Sequence, residues 1–347
     1  MSVNQATIEQ ALRQVIDAES GQDVWSAGWI SGLDVSDNAT VRFVLTLPLK
    51  DKHKLHLLKQ CEQAVQQVEG VKSVQAVATA QATMPDGRAG SRWNLTPLPH
   101  VKKLIAVASG KGGVGKSTST VQLAQALKAQ GHNVGILDAD IYGPSIPRML
   151  GLADAGEPAF ANNQMHPLTG HGIACMSMGF LLGDRAAVMR GPMIAKALNQ
   201  LLRSTAWATE ENPLDYLLID MPPGTGDVHL TLVQQAPVNA AIVITTPQEV
   251  ALDDARKCAQ MFQKIDIPIA GVIENMSYFE DPSGQRHSLF GEGGGQQLAT
   301  EIHAPLWGHI ALTPDLRSAL DEGEAYDPSA FMPMAEQLHT QLSKASG

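Results

Sequence analysis

The sequence predicts an α/β architecture, a parallel sheet covered by helices on both faces, with a small α+β domain in front of it. Three observations carry this reading. Seven short apolar runs follow Lys102, at Leu104–Ala108, Val134–Leu137, Ile173–Met178, Leu217–Ile219, Ala241–Thr245, Ile269–Ile273 and Leu306–Ile310, and helical stretches alternate with them. Unbroken apolar strands between helices belong to parallel sheets buried on both faces. The first run leads into a glycine-rich loop ending in Gly-Lys-Ser, whereas residues 1–83 show neither feature. The chain has 347 residues, 44% of them hydrophobic, enough for two cores at about 150 residues per domain.

Residues 1–83 read as the small α+β domain. A helix from about Thr7 to Ala18 carries Ile8, Leu12, Val15 and Ile16 on one stripe, and Val41–Leu47 alternates as a strand. A second helix from about His53 to Val68 ends before Gly70, and Val71–Ala78 reads as another strand. Residues 84–100, rich in Pro, Gly and polar side chains without a period, form the linker, and 101–347 form the α/β domain.

Composition excludes several functions. With 25 Lys+Arg against 35 Asp+Glu the net charge is −10, which repels phosphate backbones and anionic membranes, so no nucleic-acid partner is expected. The amino terminus lacks the basic and apolar regions of a signal peptide, no apolar run reaches the ~18–20 residues of a membrane span, and a cytoplasmic protein is expected. Three widely spaced cysteines, Cys61, Cys175 and Cys258, fit neither a disulfide framework nor a paired metal motif.

In α/β sheets, ligands bind beyond the carboxyl ends of the strands. There the first run meets Ser109, Gly110, Lys111, Gly112, Gly113, Val114, Gly115, Lys116, Ser117 and Thr118, which satisfy GxxxxGK[ST] between a strand and a helix. Its backbone N–H groups suit phosphate oxygens, Lys116 reaches the β- and γ-phosphates of ATP, and Ser117 ligates Mg²⁺. Lys111 is an additional cation inside the loop, either a solvated charge or a phosphate contact that Lys116 cannot supply. The second run ends in Asp138-Ala139-Asp140, whose carboxylates lie one residue apart and share a side. We assign Asp140 to the attacking water and Asp138 to the shell of Mg²⁺, although the sequence alone does not order the two. Tyr216–Asp220 followed by Met-Pro-Pro-Gly-Thr-Gly-Asp is an apolar strand capped by a carboxylate, so Asp220 is placed on Mg²⁺ and the glycine-rich segment is read as a γ-phosphate sensor.

The loop string resembles the deviant Walker A of the SIMIBI P-loop ATPases, the MinD, ParA, ArsA and nitrogenase iron-protein group. That resemblance implies that Lys111 crosses a homodimer interface to the partner's nucleotide. Asp138-Ala-Asp-Ile-Tyr-Gly-Pro-Ser-Ile-Pro, Met221-Pro-Pro-Gly-Thr-Gly-Asp and Glu274-Asn-Met-Ser-Tyr-Phe together resemble the Mrp/NBP35 (ApbC) ATPases. The likeness implies a slowly hydrolysing homodimeric iron–sulfur cluster carrier whose partners are iron–sulfur apo-proteins or assembly proteins, with a MIP18-like domain in front. It also implies that Asn275 meets the adenine edge.

The resemblance breaks at two places. The small domain's Asp-Pro-Glu stands here as Asp17-Ala18-Glu19, and its Pro-x-Cys-Pro patch as Leu47-Pro48-Leu49-Lys50. More consequentially, the family's Cys-x-x-Cys for a subunit-bridging [4Fe–4S] cluster is replaced within Glu280–His287 by Asp281 and Gly284. No ligands for a cluster can be named, since cluster iron takes thiolates; of the three cysteines only Cys258 is placed to approach a dimer axis. The alternative reading is an ATP-gated partner-binding switch that carries no cluster. Two further features read as structural: Gly291–Gly295 as a helix entry, and the stripe Phe331, Met334, Ala335, Leu338 and Leu342 as a helix packed on the core.

Overall fold

The computed structural model describes residues 5–17, 21–27, 29–35, 39–48, 55–81, 95–141, 143–182 and 191–344. The chain divides into two units, Met1–Ser91 and Arg92–Gly347.

In the first unit the order is α1 (Gln5–Leu12), β1 (Ile30–Val35), β2 (Thr40–Pro48), α2 (Leu55–Gln66) and β3 (Ser73–Gln81). The strands form one sheet in that order, β1 antiparallel to β2 and β2 parallel to β3. Ile8 and Leu12 of α1 and Leu57, Cys61 and Val65 of α2 recur at helical spacing and close over Val41, Phe43 and Leu45 of β2. The first helix stops at Leu12, short of the expected Ala18. Val15 therefore enters the core from the following turn, while Ile16, expected on the same stripe, is 57% exposed. Strand β1 escapes a periodicity search because Gly32 and Asp34 interrupt its alternation. Asp17 is buried, whereas Ala18, Glu19, Leu49 and Lys50 lie outside the described residues, as do most of residues 84–100.

The second unit runs β4 (Val101–Ala108), α3 (Lys116–Ala129), β5 (Val134–Asp138), α4 (Ile146–Met149), β6 (Phe160–Ala161), β7 (Gln164–Met165), β8 (Leu168–Gly170) and β9 (Ile173–Ser177). It continues with α5 (Gly179–Leu182), α6 (Gly191–Ser204), β10 (Leu214–Asp220), α7 (Asp227–Gln235), β11 (Ala240–Thr245), α8 (Glu249–Lys264) and β12 (Ile269–Glu280). Last come β13 (Arg286–His287), α9 (Gly294–Glu301), β14 (Leu306–Ala311), α10 (Pro314–Asp321) and α11 (Met332–Lys344). All seven apolar runs become strands of one sheet, ordered β12-β11-β4-β10-β5-β9 with β14 beside β12, and all pair in parallel. Short antiparallel strands β8 and β13 finish the sheet.

Their composition explains the burial. Every residue of β5 and β11 is buried, as expected of strands with helices on both faces. One face packs under α3 and α11, with Val121, Leu123 and Leu127 against Met334, Leu338 and Leu342. The other packs under α6, α7 and α8, with Leu198, Leu202, Leu232, Cys258 and Phe262. The carboxyl-terminal stripe is thus core, and Gly291–Gly295 leads into α9, both as the sequence implies. Among the described residues no helix is long and apolar enough to cross a membrane.

Strand β4 lies between β10 and β11, and β10 also pairs with β5. In register, Asp220 pairs with Val107 on one side and Asp138 on the other. The loops that follow β4, β5 and β10 therefore emerge side by side.

Close packing makes one glycine of this sheet irreplaceable. A Cβ on Gly271 would lie 2.2 Å from Trp307 Cε2. Gly271→Ala should force the indole out of its place and destabilise the second unit by about 1–3 kcal/mol in denaturant melts; an unchanged midpoint would show that the indole yields freely.

Candidate functional site

Beyond β4 the chain wraps through Ser109–Gly115 and enters α3 at Lys116. Gly115 holds φ of 81°, and a Cβ there would come 2.1 Å from Asn275 Nδ2, so both backbone conformation and space demand glycine. Gly110 lies against the α8 backbone at Asp254 and Ala255. Ser109 Oγ donates to the Lys111 carbonyl at 3.0 Å and braces the turn. A cavity of about 200 Å³ opens above, walled by Lys111, Gly112, Gly113, Gly115, Lys116, Ser117 and Thr118, with Asp140, Ser145, Met149 and Pro223 facing them. A glycine loop at a helix N-terminus with two lysines beside it fits the phosphates of a nucleotide. The structure thus brings together the loop residues, Lys111 and Asp140, with Lys111 exposed at the mouth.

Under this cavity sits Asp220, fully buried at the tip of β10. Lys116 Nζ lies 2.7 Å from its Oδ2, Ser117 Oγ donates to the same oxygen at 2.6 Å, and Thr120 Oγ1 donates to Oδ1 at 2.8 Å. Lys116 is itself 6% exposed, so this is a buried ion pair whose carboxylate has its lone pairs met. Thr120, one helical turn beyond Lys116, was not foreseen; its position in the motif's helix is the only sequence signal.

Asp138 and Asp140 separate. Asp138, assigned from sequence to the Mg²⁺ shell, is 0% exposed, with Oδ1 accepting Asp140 N–H and Oδ2 accepting Ser177 Oγ–H at 3.1 Å and Ile146 N–H at 3.4 Å. Burial, and then the neighbouring negative charge of Asp220, push its carboxyl well above the usual carboxylate range, with Lys116 opposing. Its oxygens are engaged in shaping the Asp140–Ile146 loop, and Asp138 is not among the residues that line the cavity. Asp140 is the carboxylate that lines the cavity; its Oδ1 accepts Gly143 N–H at 3.3 Å. Tyr142, part of the same motif, lies outside the described residues.

Asn275 is buried at the back of the loop, its Nδ2 donating to the Val114 carbonyl at 2.8 Å. This bond ties Asn275 to the loop itself. Next to it, Met276 takes φ of 53°, unusual for a residue other than glycine, where the β12 register with β14 shifts between Glu274 and Tyr278. Such a bulge re-aims side chains, and Met276 also approaches the position of a Gly115 Cβ. Glu274, the buried first residue of the Glu-Asn-Met-Ser-Tyr-Phe motif, receives Gly295 N–H and lies 2.8 Å from His309 Nδ1, tying α9 and β14 to β12.

At Asp281–His287, where the family resemblance places cluster thiolates, there is a closed hairpin. Asp281 Oδ1 accepts Ser283 N–H, Ser283 Oγ–H and Gln285 N–H, and Oδ2 lies 2.7 Å from His287 Nε2. His287, then Ser283, hold this carboxyl well below its ordinary range. Arg286 lies 4.3 Å over the Tyr278 ring, and Gly284 makes the turn at φ of 82°. Cys258, expected to be the one thiol able to approach a dimer axis, is 0% exposed on the sheet-facing side of α8; Cys61 and Cys175 are equally enclosed. Burial pushes Cys61 and Cys258 up to about 12 and Cys175 well above its ordinary value. No group of three or more His, Cys, Asp or Glu among the described residues is arranged to hold a metal ion. These residues do not fit a bound cluster.

One further residue was missed. His229, in the first turn of α7, is 4% exposed and its Nε2 meets the Pro222 carbonyl. Its Nδ1 is one of two fully buried side-chain polar atoms without a partner among the described residues. Burial lowers the pKa of this imidazole; Lys116 adds to the lowering, and Asp140 opposes it.

A glycine loop on the central strand of a parallel sheet, with Lys116 and a carboxylate-tipped neighbour, defines a nucleotide-binding P-loop NTPase. The Pyrococcus furiosus cell division ATPase MinD has this fold, with a TM-score of 0.51 at 20% identity over 69% of this chain and 99% of that one. The family described as NUBPL iron-transfer P-loop NTPase matches residues 100–344, and this chain belongs to it. Residues 5–76 match the family described as iron-sulfur cluster assembly protein. The chain is 44% identical over 315 residues to an iron-sulfur cluster carrier protein of Haemophilus influenzae, covering 87% of this chain and 83% of that one. It is 38% identical over 358 residues to the protein of the same name from Synechocystis, covering 96% and 97%. Among solved structures, a nucleotide-binding protein from Archaeoglobus fulgidus in complex with ADP aligns with a TM-score of 0.59 and 41% identity, over 67% of this chain and 91% of that one.

Two outcomes follow from this geometry. Measured without nucleotide, Lys116→Met should destabilise the second unit by about 3–5 kcal/mol because it leaves Asp220 buried without its counter-charge, and Lys116→Met/Asp220→Asn should lose less than the two single changes added together. Equal and additive losses in denaturant melts would show that the pair is not coupled. Secondly, all three thiols are enclosed, and burial disfavours the thiolate that attacks a disulfide reagent. A disulfide reagent such as DTNB should therefore leave all three cysteines of the folded protein unmodified for hours and titrate all three once it unfolds; rapid modification of even one would contradict the burial.

Proposed function

We propose that this chain binds Mg-ATP and hydrolyses it slowly as a homodimer, serving iron–sulfur cluster delivery through partner proteins. The observation that carries the reading is the juxtaposition of Lys116, Ser117 and Asp220 beneath a cavity whose far wall presents Asp140. In this reading Lys116 exchanges Asp220 for β- and γ-phosphate oxygens, and Ser117 Oγ, with Asp220 through water, would hold Mg²⁺. When bound, Mg²⁺ neutralises phosphate charge. Gly110, Gly112, Gly113, Val114, Gly115 and Thr118 provide the cradle of the loop. Asp140 accepts a hydrogen bond from the attacking water, whose oxygen bonds to the γ-phosphorus as the bond to the bridging oxygen breaks, giving ADP and phosphate. Lys111, exposed at the mouth, reaches the partner subunit's nucleotide.

The cluster is cargo rather than a fixture of this site. A carrier that held [4Fe–4S] between subunits would present thiolates to its dimer axis, and every thiol of this chain is enclosed. That observation favours the second reading, an ATP-gated switch that engages cluster-bearing partners and carries no cluster on its own cysteines.

Lys116→Ala should abolish ATP binding, whereas Asp140→Ala should keep it and lose turnover by roughly 10²–10⁴-fold. Lys111→Ala should bind ATP yet fail to dimerise with a slowly hydrolysed analogue in sedimentation. Wild-type phosphate release in the Lys116 or Asp140 variant would sink the assignment of these residues. Anaerobic reconstitution with iron and sulfide should leave no stoichiometric, chelator-resistant [4Fe–4S]; a stable cluster that survives Cys258→Ser would restore the carrier reading with ligands still to be found.

A further inference from the structure

The segment between β10 and α7, Met221-Pro222-Pro223-Gly224-Thr225-Gly226, forms part of the phosphate cavity, yet it is poor in groups that can hold it still. Two prolines lack N–H donors and two glycines lack side chains. On its β4 side the segment is pinned by Met221 N–H to the Val107 carbonyl at 3.0 Å and Gly224 N–H to the Ser109 carbonyl at 3.2 Å. On its α7 side the pin is His229, whose Nε2 meets the Pro222 carbonyl. Pro223, the next residue, stands in the cavity wall opposite the loop, where a Cβ on Gly112 would approach its own Cβ to 3.8 Å.

The ring's hydrogen bonding is determined by this contact. A carbonyl only accepts, so Nε2 carries the proton and Nδ1 is a bare acceptor. That acceptor is enclosed and meets no donor among the described residues. A buried polar atom without a partner opposes folding, and a leucine would fill the same space without one. What offsets it is the hold on Pro222, itself buried, whose neighbour Pro223 stands in the wall of the nucleotide site.

We infer that His229 is the positioning residue of this segment: its Nε2–H fixes the Pro222 carbonyl, and through it sets Pro223 and the glycines beyond in one geometry against the terminal phosphate. The inference rests on the proposed hydrolase reading. Glutamine at 229 can place an amide N–H near the position of Nε2, whereas leucine keeps the bulk and has no donor.

The test uses the full-length protein. His229→Gln should hydrolyse ATP within about threefold of wild type, and His229→Leu should lose roughly 10–100-fold in kcat with KM for ATP within threefold, because misplacement by about an ångström costs turnover of this order. Hydrogen exchange of a peptide spanning 219–230 should be faster in His229→Leu and unchanged in His229→Gln. Wild-type turnover in His229→Leu, equal losses in both variants, or a loss confined to KM would each overturn the assignment. If wild type itself releases no phosphate, the hydrolase reading has failed separately, and the decision falls to exchange alone. Mg-ATP must then slow exchange of 219–230 in wild type and His229→Gln but not in His229→Leu, and equal protection in all three overturns the role of His229.

Discussion

The buried carboxylate of Asp220 is the constraint on which the rest of the site depends. It lies at the tip of a central strand, where water cannot solvate it, so its charge must be met by protein groups. Lys116, Ser117 and Thr120 all come from the first turns of α3 and all converge on it. One anion therefore fixes the helix to the sheet and, with it, the curvature of the loop between them. A second anion cannot be accommodated as easily. Asp138, its register partner, sits beside it with one ammonium nearby, and its carboxyl is pushed towards the protonated form. That is why Asp138 is surrounded by donors and turned into the loop after β5, while Asp140, two residues on, is free of that crowding and faces the cavity.

Much of this was legible in the sequence because it depends on local pattern. Apolar runs with helices between them define a parallel sheet, and GxxxxGKS between strand and helix defines the loop. Strand ends then bring Asp138 and Asp220 near it. What the pattern does not contain is which atoms are already committed. Asp138 and Asp140 are equivalent by spacing, and only the donors at Ile146 and Ser177 distinguish them. The hydrogen bond from Asn275 to Val114 spans 161 positions, and no local periodicity encodes it. His229 carries no signal in the sequence pattern; its unmet Nδ1 is a property of packing. In the small unit, Ile16 fits the helical stripe arithmetically, but the helix has already ended.

The hairpin at Asp281–His287 shows where family likeness stops being informative. The sheet and the nucleotide loop form one packed unit, in which a change at any member disturbs the others. A ligand pair on an exposed turn is not constrained in this way. Here the turn is closed by Asp281 with Ser283, Gln285 and His287, a set of hydrogen bonds that satisfies the hairpin from within and leaves no soft ligand facing outwards. A fold can therefore carry over from relatives without fixing what an exposed turn binds.

Nevertheless the hairpin is not remote from the nucleotide loop in mechanical terms. Both hang on β12. Asn275 and Met276 press on the loop at Val114 and Gly115, and Phe279, four residues further along the same strand, pairs with His287 of the hairpin. At about 3.3 Å per residue the two are roughly 13 Å apart. The bulge at Met276 lies between them, and Glu274 anchors the strand below it to α9 and β14. The turn that lacks cysteines is thus carried by the same strand that braces the glycine loop.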